Sequence, residues 1–209
     1  MSFVPIEQIR GQHLSKSPPQ KSLAKMYLFP INRLFENYQN EMILEVKLKT
    51  LLGRPVYELK TNRQKNILID AQTGLALPLI SRQQAEKIAS EHFLGKAKIL
   101  KAILYTKDPP FEARGTAPVW KIDFENSEDS SFYISAITGR LVAKRNNLWR
   151  IYDFVWMLHI MDYDQREDFN HPTLIIASFL ALLCSITGLF LIVYTFRKSD
   201  FTLKKRKKD

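Results

Sequence analysis

Side chains able to ligate a cation or a haem are few in this chain, and most gather in one stretch. His159 and His171 flank Asp162, Asp164, Glu167 and Asp168, a set of imidazoles and carboxylates of the kind that ligates a divalent cation. Counted from Asp162, the sixth position of a calcium loop requires Gly and holds Glu167 instead, so the competing reading is a solvated loop. The same two histidines are the residues from which a haem could be held, but a haem within a membrane needs His on the spanning helices. The apolar run 172–196 contains none. His13 and His92 fall in an irregular lead-in and on the outer side of an amphipathic helix, positions that predict solvation. There is no Gly-x-Ser-x-Gly, His-Glu-x-x-His or Cys-x-x-Cys, and the seven glycines are too scattered for a phosphate-cradling loop. The expectation is a protein that is not an enzyme on its own.

What must position these residues is dominated by one segment. From Pro172 to Phe196, 25 residues pass without Asp, Glu, Lys, Arg or His, enough at about 1.5 Å rise per residue to cross a hydrocarbon core of about 30 Å. The flank before it is acidic. The flank after it, 197–209, carries seven basic residues against Asp200 and Asp209, half of the chain's net charge of +10. The positive-inside rule then puts the tail in the cytoplasm and residues 1–170 outside. Next to a span, the Lys/Arg cluster reads as a contact to anionic headgroups, and no nucleic-acid partner is expected. Inside the span, Ala177, Ala181, Ser185 and Gly188 follow one helix face, where small residues let a second membrane helix approach. Cys184 cannot close an intramolecular disulfide, being the single cysteine. Just outside the span, Trp149, Tyr152, Trp156 and Tyr163, with Ile151, Val155 and Leu158, predict an amphipathic helix anchored at the interface or, alternatively, closing the core of a sheet.

The outer part is predicted as an irregular lead-in over 1–40, broken by prolines except for a short helix near Ile31 to Tyr38, followed by an α+β domain over 41–147. Residues 41–52 alternate with strand period, Gly53 to Pro55 turn the chain, and VYELKT and NILIDA form a hairpin across Asn62 to Lys65. The chain also resembles itself. LIDAQTGLAL (68–77) and YISAITGRLV (133–142) align without a gap at an offset of 65, each with a Thr-Gly step, Thr73-Gly74 and Thr138-Gly139, that turns one strand into the next. Between them, Ser81 caps an amphipathic helix with Ala85, Ile88, Ala89 and Phe93 on one face and a stop at Gly95. Two half-repeats follow, 41–80 and 81–147, then a helix and acidic loop over 148–170, a membrane helix over 172–196 and a basic tail over 197–209.

A helix followed by antiparallel strands that end in Asp-Ala-x-Thr-Gly resembles the PepSY domain, with Asp70-Ala71-Gln72-Thr73-Gly74 on its closing motif and Ser135 departing from it in the second copy. The block 149–172 together with the span is similar to bacterial PepSY-associated transmembrane proteins. In that group a membrane helix precedes a stretch like Val4 to His13, which implies a first helix upstream of Met1 and an extracytoplasmic domain on the inner membrane. The resemblance implies a binding or regulatory role toward a partner membrane protein or an exported peptidase. Its relatives among ferric-siderophore reductases imply the alternative, a redox subunit in iron uptake holding haem with a partner helix. No cofactor of the chain's own is expected.

Overall fold

The structure, a computed structural model, describes residues 5–17, 27–39, 41–62, 66–163 and 170–195. It is a mixed α+β protein with two antiparallel sheets and an apolar C-terminal helix, and it divides into two compact units, residues 1–152 and 153–209. In chain order the elements are α1 (Ile6–Ile9), α2 (Ile31–Asn37), β1 (Ile43–Leu51), β2 (Arg54–Thr61), β3 (Asn66–Asp70), α3 (Arg82–His92), β4 (Lys98–Tyr105), β5 (Val119–Glu125), β6 (Ser131–Ser135), β7 (Leu141–Arg145), α4 (Asn147–Ile160) and α5 (Pro172–Thr195), with short 3₁₀ turns at Gln12–Leu14 and Phe111–Ala113. The sheets are β1-β2-β3 and β4-β5-β6-β7.

The two sheets are built on one ladder. Lys49 pairs with Val56, Leu48 with Tyr57 and Val46 with Leu59; in the second sheet Tyr105 pairs with Val119, Leu104 with Trp120 and Ala102 with Ile122. The next strand repeats the match, Tyr57 opposite Ile69 and Leu59 opposite Ile67 becoming Trp120 opposite Ile134 and Ile122 opposite Phe132. Even the irregularity is copied: the register slips between Ile43 and Glu45 and again between Ile99 and Lys101, leaving Leu44 and Leu100, both 59% exposed, as the bulged residues. A bulge re-aims an edge strand and discourages further pairing. The sequence behind this is the gapless match of Ile43-Leu44-x-x-x-Leu48-x-Thr50 to Ile99-Leu100-x-x-x-Leu104-x-Thr106.

Alternation along each strand then creates two cores. In the first copy Leu34 of α2 closes over Tyr57, Leu59, Ile69 and Ala71. In the second, Ala85, Ile88 and Ala89 of α3 close over the equivalent Trp120, Ile122, Ile134 and Ala136, and Phe93, Phe124 and Phe132 pack with ring centroids 4.3–5.7 Å apart. Each fully buried Leu, Ile or Phe among them contributes about 1.5–3 kcal/mol. Helix α3 starts where a reciprocal capping box forms: Gln84 N–H donates to Ser81 Oγ, and Ser81 N–H donates to Gln84 Oε1. It ends before Gly95, because Phe93 is already extended at φ −71° and ψ 131° and buries its ring.

Three expectations need correction. Among the described residues of the lead-in, α1 and a 3₁₀ turn precede the one helix expected, and the segment is packed: Ile9 and Leu14 are buried, Ser15 bridges Phe93, and Lys16 N–H donates to His92 O. Apolar side chains at these positions find the open rim of the second copy, which local sequence does not reveal. The first turn is Leu52-Gly53, both left-handed at φ 49° and 82°, so Arg54 and Pro55 already belong to β2. The first copy begins with α2 rather than at residue 41, so its helix comes from the lead-in. Part of the predicted Asn62 to Lys65 turn, residues 63–65, lies outside the described residues.

Candidate functional site

Both Thr-Gly turns close with the same bonds. Gly74 N–H donates to Asp70 O and Gly139 N–H to Ser135 O, each at 2.9 Å, while Asp70 N–H and Ser135 N–H donate to Leu75 O and Arg140 O. Thr73 Oγ1 accepts from Leu75 N–H and Thr138 Oγ1 from Arg140 N–H. The position that departs from the motif is chemically equivalent: Asp70 Oδ1 accepts from Gln72 and Thr73 N–H, and Ser135 Oγ accepts from Thr138 N–H. A short side-chain oxygen is what this turn requires, and Asp or Ser supplies it. Gly74 and Gly139 sit at φ 74° and 67° against neighbours, the Phe29 ring in one case and Leu51 and Ile88 in the other, so each needs both the left-handed backbone and the missing Cβ.

The second turn is also tied to the first copy. Glu58, on β2 and 7% exposed, accepts from Lys49 Nζ at 2.6 Å and lies 3.6 Å from the Arg140 guanidinium, while Lys49 Nζ donates to Thr138 O at 2.8 Å. Burial pushes the Lys49 ammonium below its ordinary value, with Glu58 pulling the other way. Glu58, Thr138 and Arg140 border a cleft of about 320 Å³ that also has Asn66, Thr116 and Ser135 on its walls.

On the far face of the second sheet, Glu112 receives Tyr133 OH at 2.7 Å and Arg150 Nε at 2.9 Å, and Arg150 reaches Ser131 Oγ and Asp129 O. Burial drives the Glu112 carboxyl up, but the donors from Arg150 and Tyr133 outweigh it and hold the group below the ordinary carboxylate value. Burial and the adjacent carboxylate push the Tyr133 phenol up. This network fixes the first turn of α4 to the sheet. Sequence reasoning missed it: Glu112 lies in a 3₁₀ turn with no local signal, and only the fold brings it to Arg150.

The predicted metal and haem residues are placed as follows. His171 ends the link into α5, its Nδ1 bonded to Thr173 Oγ1 at 2.6 Å, and Thr173 Oγ1 donates to Met161 O. His159 is exposed, with its ring 6.1 Å from Trp156, and Asp162 is buried. Asp164 and Asp168 lie outside the described residues, among which no group of three or more His, Cys, Asp or Glu could hold a metal ion. The expectation for His92 is corrected: it is half-buried, and burial lowers its pKa against a hydrogen bond to the Lys16 backbone. His13 bonds to the Glu128 carboxylate at 2.9 and 3.0 Å.

The interfacial aromatics separate. Trp149 lies under the Arg145 guanidinium at 4.0 Å, Trp156 is half-buried, and Tyr152 and Tyr163 are exposed. Ile151, Val155 and Leu158 do not close a core, being 62%, 57% and 46% exposed. The buried side of α4 is Asp153, Met157 and Ile160. Helix α5 has 24 residues, reaches a mean hydropathy of 2.6 over its most apolar 18, and is long and apolar enough to cross a membrane. Along it, Ala177, Ala181, Ser185 and Gly188 share a face; Ser185 Oγ donates to Ala181 O, and Ser178 and Thr187 turn back likewise on Leu174 and Leu183. Hydroxyls satisfied within the helix suit an apolar medium.

Residues 79–145 match the family model described as peptidase propeptide and YPEB domain, PepSY. This stretch is a PepSY domain. The PepSY match coincides with α3 to β7, the second copy, rather than with the copy that carries the Asp-Ala-x-Thr-Gly sequence. PepSY domains are propeptide or regulatory modules rather than catalytic ones. No curated protein matches the chain. A solved structure of a chain assigned as a lipoprotein from Clostridium difficile aligns over 59% of this chain and 97% of that one, at 16% identity and a TM-score of 0.23, too low for any argument.

Proposed function

We propose that the chain is a membrane-tethered PepSY module that works by binding, with its sheet domain at the outer face of a bacterial inner membrane and its C-terminus in the cytoplasm. The observation that carries this is a PepSY domain over 79–145 followed by a 24-residue helix of membrane-spanning length and apolarity. The basic tail supplies the orientation. Its partner is a membrane protein, met by the small-residue face of α5, or an exported peptidase held in check by the PepSY domain. The module carries no haem or metal of its own, so the purified chain is expected to be colourless, and a Soret band would overturn that part.

The test is cysteine labelling in cells, in a Cys184→Ala background. A membrane-impermeant maleimide should label Ser90→Cys on α3 in spheroplasts and reach Lys208→Cys in the tail only after lysis. The reverse pattern defeats the topology. Deleting the gene should raise proteolysis by an exported peptidase, and unchanged proteolysis across all of them removes the peptidase partner.

A further inference from the structure

Helix α4 carries a face that the module's binding role does not use. Ile151, Phe154, Val155 and Leu158 stand at i, i+3, i+4 and i+7, and they are 62%, 54%, 57% and 46% exposed. The charged residue within 151–160 is Asp153, and it is buried. The helix thus has apolar residues on both sides, with Met157 and Ile160 buried beside the acid and a continuous apolar stripe outside. An apolar stripe of this kind on a folded protein marks an interaction site.

Its occupant follows from where the helix ends. Met161, the residue after α4, accepts the Thr173 hydroxyl from the first turn of α5 at 2.8 Å, and His171 bonds to the same hydroxyl. The C-terminal end of α4 is thus held at the end of α5 where a spanning helix meets the headgroups. Tyr152 and Tyr163, 40% and 56% exposed, flank the stripe with amphipathic rings of the type that settles at that depth. We infer that the Ile151-Phe154-Val155-Leu158 face lies in the headgroup–acyl boundary of the bilayer that α5 crosses, so that α4 is an interfacial helix and not a docking site for protein. This rests on the reading of α5 as the membrane span. Of the four aromatic residues expected to anchor at the interface, Trp149 is instead held under Arg145, and the apolar stripe joins Tyr152 and Tyr163 in that role.

The test uses the full chain in phosphatidylethanolamine/phosphatidylglycerol vesicles, with Cys184→Ala and one environment-sensitive label at a time on Val155→Cys, Leu158→Cys, Leu182→Cys or Ser90→Cys. Vesicles contain lipid bearing a nitroxide either near the headgroup or near the chain end. The inference expects blue-shifted emission at 155 and 158 that loses most of its intensity to the shallow nitroxide. Position 182 should be quenched by the deep one and position 90 by neither. Quenching at 182 with water-like emission at 155 and 158 overturns the interfacial helix and leaves the anchor standing. Blue-shifted but unquenched emission at 155 and 158 means that protein covers the face, and also overturns it. A label at 182 untouched by either nitroxide defeats the anchor itself, and with it this inference.

Discussion

The two copies share a ladder residue for residue and differ in what they do with the back of the sheet. In each, one face is closed by its own helix, α2 or α3. The other face of the first copy presents Val56, Leu68 and Glu58: the apolar pair joins the core under α3, and Glu58 reaches Arg140 across the copies. The equivalent positions of the second copy are Val119, Tyr133 and Lys121, and that face is closed by Ala113, with Tyr133 and Arg150 both donating to Glu112. A duplicated scaffold has thus been specialised on its back faces: one holds the copies together, the other holds the start of α4. The fronts keep the fold, and the backs assign the connections.

The largest effect expected from this comparison lies in the cores. Phe132→Ala removes a ring from the three-Phe cluster and should cost about 4 kcal/mol, while its equivalent, the half-buried Ile67→Ala, should cost about 2 kcal/mol. Urea unfolding of the detergent-solubilised chain measures both, and equal losses would mean that the copies are equally important to stability. Next come the turns. A Cβ at Gly139 would stand 2.7 Å from Leu51 Cδ1 and 3.3 Å from Ile88 Cδ1 inside the main core, so Gly139→Ala should cost about 3 kcal/mol. Gly74→Ala meets the half-buried Phe29 ring at 2.8 Å, at the edge of the smaller core, and should cost about 2 kcal/mol. The reverse order would show that the lead-in is the more rigid.

The back faces are sharpened by Glu112→Gln, which weakens two charge-assisted bonds and should cost about 1.5 kcal/mol, with faster amide exchange at 147–150 and not in β1 to β3. Exchange unchanged at those residues would show that the network does not hold α4. The turn caps differ more subtly. Asp70→Ser should cost no more than about 1 kcal/mol, since Ser135 already performs that job, whereas Ser135→Asp puts a carboxylate into the cleft beside Glu58 and should cost more.

The smallest effect is on acid stability. His92 has its pKa lowered by burial, so the folded chain resists its protonation and stability falls as pH drops below the ordinary value of 6.5. Glu112, held below its ordinary 4.5, contributes stability that is lost as pH falls below that value. His92→Gln should flatten the upper step and Glu112→Gln the lower, read from unfolding midpoints across pH.

Elements of both copies are legible where their signals are local. Alternation over 43–51 and the Ser81 cap require only neighbours along the chain, and the Thr-Gly repeat announced two matching turns through a left-handed backbone that few residues tolerate. Contacts between partners remote in sequence leave no such signal. His92 looked solvated because helical periodicity cannot show the lead-in lying across it, and Ile151, Val155 and Leu158 gave no sign of whether they were covered.

Periodicity is encoded locally: two strand-turn-strand copies, an amphipathic helix between them, and an apolar helix of spanning length, each dictated by side-chain spacing against the backbone repeat. The tertiary structure alone decided which faces meet. Glu58 with Arg140, Glu112 with Arg150, and the outward stripe of α4 depend on long-range contacts, and no local spacing encodes which of several apolar faces a folded chain will cover.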